Sequence, residues 1–165
     1  MILKDIKLIS FVDLTIEKQK MILEWRNHES IRKWMYSCEP ISEMNHFEFI
    51  KKLKLDKHNL YFLVNQNSID IGVIYFNNID FNREVAEFGL YSNPFREMIG
   101  IGTTLSKVSI NYAFNMLKLQ TLRLEVLLHN ERAIKLYKKF NFKEFIQKTI
   151  NNQEIVYMEL KNENR

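Results

Sequence analysis

The residues with the clearest capacity for chemistry fall in two short segments. The first, Arg96-Glu97-Met98-Ile99-Gly100-Ile101-Gly102-Thr103, holds two of the chain's four glycines and opens an apolar stripe with helical spacing. A helix N-terminus carries unpaired N–H groups and the positive end of the helix dipole, so it can hold a phosphate, and glycine lets the backbone come close to the anion. A plain turn and helix cap is the alternative, and it needs only one of these glycines. The second segment runs from Asn130 to Phe142, with Ala133, Leu136, Tyr137 and Phe140 on one apolar face, which turns the Tyr137 phenol inward. Such a phenol is either a core tyrosine bonded to a carbonyl or a proton donor to a leaving group of similar pKa.

Two carboxylates are candidate bases. Strand alternation puts Val85, Glu87, Gly89 and Tyr91 on one face, and Glu125 with Leu127 on one face of a later strand. Glu87, which shares Tyr91's face, ranks ahead of Glu125; a strand carboxylate paired with a lysine is the other reading of Glu87. No metal is expected, because His28, His46, His58, His129 and Cys38 show no ligand spacing. Nucleophile-elbow, P-loop and dinucleotide fingerprints are absent from the sequence.

Several elements must position these groups. Residues 2–12 alternate and predict a strand, and Leu14, Met21, Ile22 and Trp25 predict a helix over 15–28. A short helix is expected over 30–36. Ser42 caps a further helix over 43–55, on which His46, Phe49, Ile50 and Leu53 share a face. From Asn59 the period changes to two, predicting strands over 60–64, 70–77 and 84–91 with polar turns at 65–68 and 80–83. A helix over 102–117, a strand over 121–128, a helix from the Asn130 cap to Phe140, and strands over 142–148 and 154–160 follow. This order predicts one α/β (α+β) domain over 1–165, with a mixed, mostly antiparallel sheet flanked by helices and a frayed tail from residue 160.

With 165 residues, 46% hydrophobic and 13% aromatic, the chain has enough apolar matter for one core, which excludes disordered and repeat-built classes. The formal net charge of +4 does not gather into a one-signed stripe: lysines alternate with acids at Glu17, Lys18, Lys20 and Glu24, and again from Glu48 to Lys57. That pattern describes a solvated face and argues against a nucleic-acid partner. The longest stretch without Asp, Glu, Lys or Arg, His58 to Ile69, is too short to cross a membrane. A single cysteine and the lack of a signal-peptide pattern lead us to expect a cytoplasmic protein with no membrane partner. A homo-oligomer stays open.

Taken together, the two segments resemble the GCN5-related N-acetyltransferase superfamily: a strand, a glycine loop opening a helix, then a strand and Asn130-x-x-Ala133-x-x-Leu136-Tyr137. The resemblance spans essentially the whole chain. It implies the GNAT fold and acetyl-CoA as cosubstrate. Its pyrophosphate would be held by backbone donors of Ile99, Gly100, Ile101, Gly102 and Thr103, with Arg96 nearby. The acyl end would lie along Leu90 and Tyr91, Asn130 would contact the pantetheine, and Tyr137 would protonate the departing thiolate. Glu87 and Glu125 are then the candidates for the base. Two positions depart from the family pattern: Glu97 stands where a basic residue is usual, with Arg96 one residue upstream, and Asn141 replaces a glycine.

A narrower likeness lies in Trp25-Arg26-Asn27-His28, Trp34-Met35-Tyr36, His46-x-x-Phe49 and Phe88-Gly89-Leu90-Tyr91-x-Asn93-Pro94-Phe95. These segments are similar to the N-acetyltransferases of bacterial pseudaminic acid biosynthesis, which serve flagellin glycosylation. That likeness implies acetylation of the 4-amino group of a UDP-linked amino-dideoxy sugar, in a pocket built from Arg26, Met35, His46, Phe49, Tyr91 and Leu127. Taken without it, Arg26 pairing with Glu24 or Glu29, and His46 with Phe49 as part of a core stripe, are the ordinary readings. Acetylation of protein N-terminal amines or of polyamines, and a non-catalytic coenzyme-A-binding module, are the alternatives.

Overall fold

In the computed structural model, which describes residues 5–163, one seven-stranded sheet runs through the molecule in the order β1-β2-β3-β4-β5-β7-β6. The strands are β1 (Ile6–Ser10), β2 (Leu60–Gln66), β3 (Ile69–Asp80), β4 (Val85–Ser92), β5 (Thr121–Leu127), β6 (Lys143–Ile150) and β7 (Gln153–Lys161). Every pairing is antiparallel except β4 with β5, where a helical crossover makes the neighbours parallel. The expected α/β layer with a mixed, mostly antiparallel sheet is therefore what the chain forms.

Two helical layers cover the sheet. Helices α4 (Ile101–Asn111) and α5 (Glu131–Lys139) flank one face, whose core joins Leu105 and Val108 to Phe76, Ala86, Phe88, Leu122 and Leu124. Helices α1 (Ile16–Asn27), α2 (Glu29–Arg32) and α3 (Glu43–Leu53) bring Ile22, Trp25, Ile31, Ile50 and Leu53 onto Leu63, Val73 and Tyr91. The capping sequences explain where the helices start. Thr15, Ser42 and Asn130 accept from Lys18, Asn45 and Ala133 backbone N–H groups, satisfying donors that the first helical turn leaves open.

Several boundaries move. The stretch expected as strand through Val12 leaves the sheet at Ser10, and Phe11–Asp13 form a single 3-10 turn that buries Phe11. Residues 2–4 lie outside the described residues. The helix expected over 30–36 stops at Arg32, after which the chain turns so that Trp34, Met35 and Tyr36 reach a cleft instead of stacking on a helix face. The helix expected to Leu117 changes to π geometry over Tyr112–Met116, closed by the Leu117 N–H to the Tyr112 carbonyl. Turn residues Asn67 and Ser68 both have positive φ, which fits a tight two-residue hairpin and lets Asn65 and Gln66, expected in the turn, join β2. The tail expected from residue 160 is shorter than predicted: Leu160 and Lys161 pair with Leu122 and Thr121 in the sheet.

Candidate functional site

The parallel pair β4–β5 is where the sheet opens. The two strands are in register only at Val85–Thr121, Ala86–Leu122 and Glu87–Arg123. Beyond that point β4 continues from Phe88 to Ser92, paired on its other side with β3, while β5 continues from Leu124 to Leu127, paired with β7. Backbone groups along the inner edge of β4 are thus left without the neighbouring ladder that a closed sheet would supply. A cleft of about 520 Å³ occupies the gap.

Residues from both layers and both strands line it. Glu87, Leu90, Tyr91, Glu125, Leu127, Asn130 and Tyr137, all expected site residues, meet here, as does Met35. Tyr137 stands edge-on to Phe88 at 5.8 Å between ring centroids and is also edge-on to Phe142. It is only 7% exposed, and burial pushes its phenol pKa well above the ordinary value. Tyr137 therefore stays protonated and can donate. Asn130 spends its amide oxygen on the α5 cap, leaving the amide nitrogen for a ligand.

The two carboxylates sit differently within the cleft. Glu125 accepts from the Tyr36 hydroxyl, and its cross-strand partner Tyr157 has its phenol pKa raised, by burial first and then by this carboxylate. Burial, with Glu125 adding to it, raises the Tyr36 phenol as well. Glu87 accepts from the Asn78 side-chain amide at 3.0 Å, so the lysine partner considered for it is not among its contacts in the described residues.

The glycine loop lies just outside this cleft. Gly100 has φ +83° and open space where a Cβ would stand, so the left-handed turn, with no side chain in the way, is what makes it glycine. Gly102 has a packing role: a Cβ there would come within 3.0 Å of Leu136 Cδ2, so the small residue lets α4 approach α5. No side chain caps α4, and the preceding residues Arg96 to Gly100 are exposed. An uncapped, solvent-facing helix start is suited to an anion. Asn141, at φ +65°, holds the left-handed position after α5 for which glycine is usual.

Three of the residues expected to face an acceptor do not line the cleft. His46 is 6% exposed, and its ring Nε2 lies 2.9 Å from the Gln19 carbonyl oxygen, tying α3 to α1; no ring face is offered for stacking there. Burial lowers its pKa. Phe49 packs edge-on against Tyr61 at 4.9 Å and keeps an exposed rim. Arg26 makes no ion pair with Glu24 or Glu29 among the described residues; its charge instead bears on the phenols of Tyr61, Tyr75 and Tyr91, and its Nη1 is buried without a partner.

Four aromatic residues at or beside the opening were not assigned to the site from sequence: Trp34 and Tyr36, which stand in the Trp34-Met35-Tyr36 motif, and Tyr75 and Tyr157, which no motif marks. Trp34 lines the cleft and leans on His129 at 5.3 Å. Tyr75 faces Gly89 across the β3–β4 ladder, and Tyr157 faces Glu125 across β5–β7. Spacing along a strand shows which face such a residue takes. It does not show its cross-strand partner, which depends on register.

Comparison with known proteins agrees with this geometry. Residues 9–143 match the family model described as an acetyltransferase (GNAT) domain. The chain is 40% identical over 137 residues, 83% of its length and 84% of the relative's, to the acetyltransferase PseH of Campylobacter jejuni. A crystal structure of C. jejuni PseH in complex with acetyl coenzyme A superposes with a TM-score of 0.77 at 35% identity, covering 94% of this chain and 98% of that one. The spermidine N-acetyltransferase of Vibrio cholerae, crystallised with CoA and spermine, has a TM-score of 0.85 at 23% identity over 95% of each chain, which shows a shared fold. A sheet that splays between β4 and β5, an uncapped helix beside the gap and a buried phenol within it are thus found in a chain that belongs to the GNAT acetyltransferase family.

Proposed function

We propose that this enzyme transfers an acetyl group from acetyl-CoA to the 4-amino group of a UDP-linked 4-amino-4,6-dideoxy sugar, a step in pseudaminic acid biosynthesis for flagellin glycosylation. The observation that carries the reading is the joint lining of one cleft by Tyr137, Glu125 and Glu87 at the point where β4 and β5 separate. The likeness to PseH over 83% of the chain supports the acceptor class.

The residues present fit acetyl-CoA. The uncapped start of α4, from Ile99 to Thr103, offers backbone donors to a pyrophosphate, and exposed Arg96 stands near enough in sequence to add charge. Alternate N–H groups of β4 point to its unpaired edge, so one of the neighbours Leu90 and Tyr91 offers its donor to a pantetheine or an acyl carbonyl. The bound thioester supplies the activated acetyl group; the remaining work belongs to side chains. Tyr137, held neutral by burial, gives its proton to the departing sulfur. A carboxylate of the cleft takes the proton from the attacking amine, directly or through water. Glu125 and Glu87 both reach the site, and Glu125 is oriented by Tyr36.

The acceptor enters from the side of α1–α3, where Met35, Leu127 and Tyr91 provide apolar walls and the Arg26 charge bears on the Tyr91 phenol. Cys38 is a free, exposed thiol, which suits a cytoplasmic enzyme, and no helix among the described residues is long and apolar enough to cross a membrane. The test is to mix protein, acetyl-CoA and the UDP-4-amino sugar and to titrate released thiol. Turnover well above the acceptor-free blank is expected. No turnover with the sugar, together with acetylation of a peptide N-terminus or of spermidine, would overturn the acceptor assignment.

A further inference from the structure

Gly89 lies in the middle of β4, where a glycine weakens a strand and marks a close approach by another group. The approaching group is Tyr75. A Cβ built on Gly89 would stand 2.2 Å from both Cζ and the hydroxyl oxygen of Tyr75, so the head of the phenol lies directly over the Gly89 backbone. Register explains how it gets there. Tyr61, Tyr75 and Gly89 are successive partners across β2, β3 and β4. The Tyr61 and Tyr75 rings stack at 5.0 Å and 11°, and the row ends in a residue with no side chain. Tyr75 therefore leans into the vacant place, on the Glu87 and Tyr91 face of β4, beside the opening to β5.

The hydroxyl that arrives there has no hydrogen-bond partner among the described residues, although the ring lines the cleft. Burial, with Tyr61 adding to it, pushes its pKa up to about 12, so it is a neutral group able to donate and accept at any working pH. The Arg26 charge bears on the same phenol, pulling against that shift. An unused hydroxyl at the edge of a reaction cleft needs a partner when water is displaced, because leaving it unmade is unfavourable.

We propose that Tyr75 is a specificity-determining residue whose hydroxyl, laid over Gly89, hydrogen-bonds a polar ring substituent of the acceptor adjacent to the reacting amine. This rests on the acceptor being an amino sugar.

The test compares wild type and Tyr75→Phe, which keeps the ring and its stack on Tyr61, in steady-state kinetics with acetyl-CoA and UDP-4-amino-4,6-dideoxy-N-acetyl-altrosamine. The expected result is an acceptor KM raised roughly tenfold, about 1.4 kcal/mol for one neutral hydrogen bond. The acetyl-CoA KM and the melting temperature stay as in wild type. A purely structural tyrosine would shift the melting temperature and leave the acceptor KM alone, and that result overturns the proposal. So does a fall in kcat with an unchanged acceptor KM, which would assign the hydroxyl to the acetyl group instead. A thermal-shift titration with the sugar nucleotide alone gives a second readout: its stabilising effect should weaken in Tyr75→Phe, and equal stabilisation of both proteins also counts against the role. Wild-type turnover on the sugar is the control. If it is absent, the acceptor reading fails first, and the same KM comparison is made with the amine that wild type accepts, where a polar substituent beside the amine must again account for any KM rise.

Discussion

The two helical layers differ in how their contribution to the cleft is encoded. The α4–α5 layer is written in contiguous sequence: Gly100 turns the chain, α4 starts without a cap, Asn130 caps α5, and Tyr137 follows two turns later. The α1–α3 layer is assembled from distant pieces, with Trp34 and Tyr36 delivered by an irregular turn and Tyr75 by its register against Gly89. Under the proposed function, the local device serves the common donor and the long-range pairing serves the particular acceptor. That difference sets what each substitution should do.

The largest effect is expected at Tyr137, which the α4–α5 layer contributes to the cleft. Tyr137→Phe should retain acetyl-CoA binding, measured by thermal shift, and lose about a hundredfold or more in kcat, within the range of general acid catalysis. An unchanged rate would remove Tyr137 from the acid role and blur the division between layers.

Glu125→Gln and Glu87→Gln sharpen it further. Because Glu125 accepts from Tyr36 and faces Tyr157, we expect its amide variant to lower kcat/KM by about tenfold or more. Glu87, already bonded to Asn78, should show the smaller loss. The reverse order would place the base on β4.

A third expectation concerns stability of the acceptor layer alone. His46 ties α3 to α1 and has its pKa lowered by burial. At pH above its ordinary value of about 6.5 both folded and unfolded chains hold it neutral; below that, the unfolded chain takes up the proton first. Stability should therefore fall as the pH drops from 7 toward 5, read as a lower melting temperature. His46→Gln should remove much of that slope while lowering stability at pH 7.

The smallest effect belongs to the local layer. Asn141 adopts φ +65° after α5, so Asn141→Gly should raise stability by less than about 1 kcal/mol and leave kinetics unchanged. A chemical denaturation curve resolves the change.

These contrasts also explain what could be read from the sequence. The element order, the helix caps at Ser42 and Asn130 and the inward Tyr137 follow from periodicity and short spacing, so they were legible. The opening between β4 and β5 is not legible in the sequence, because register between parallel strands joined through α4 is not a local property. The helix expected over 30–36 ends at Arg32 because Trp34 and Met35 face the cleft, a contact that local spacing does not encode. His46 was assigned to an acceptor on motif alone, and the structure gives its ring to the Gln19 carbonyl.

The placement of the two tryptophans has a practical outcome. Trp25, on the buried face of α1, is 2% exposed, whereas Trp34 lines the cleft against His129. The enzyme thus carries an internal fluorescence standard and a fluorescence sensor in one polypeptide. Emission from the indole at 34 should change as the cleft fills, while its shielded counterpart reports only unfolding, so occupancy and denaturation can be followed in one cuvette without a dye.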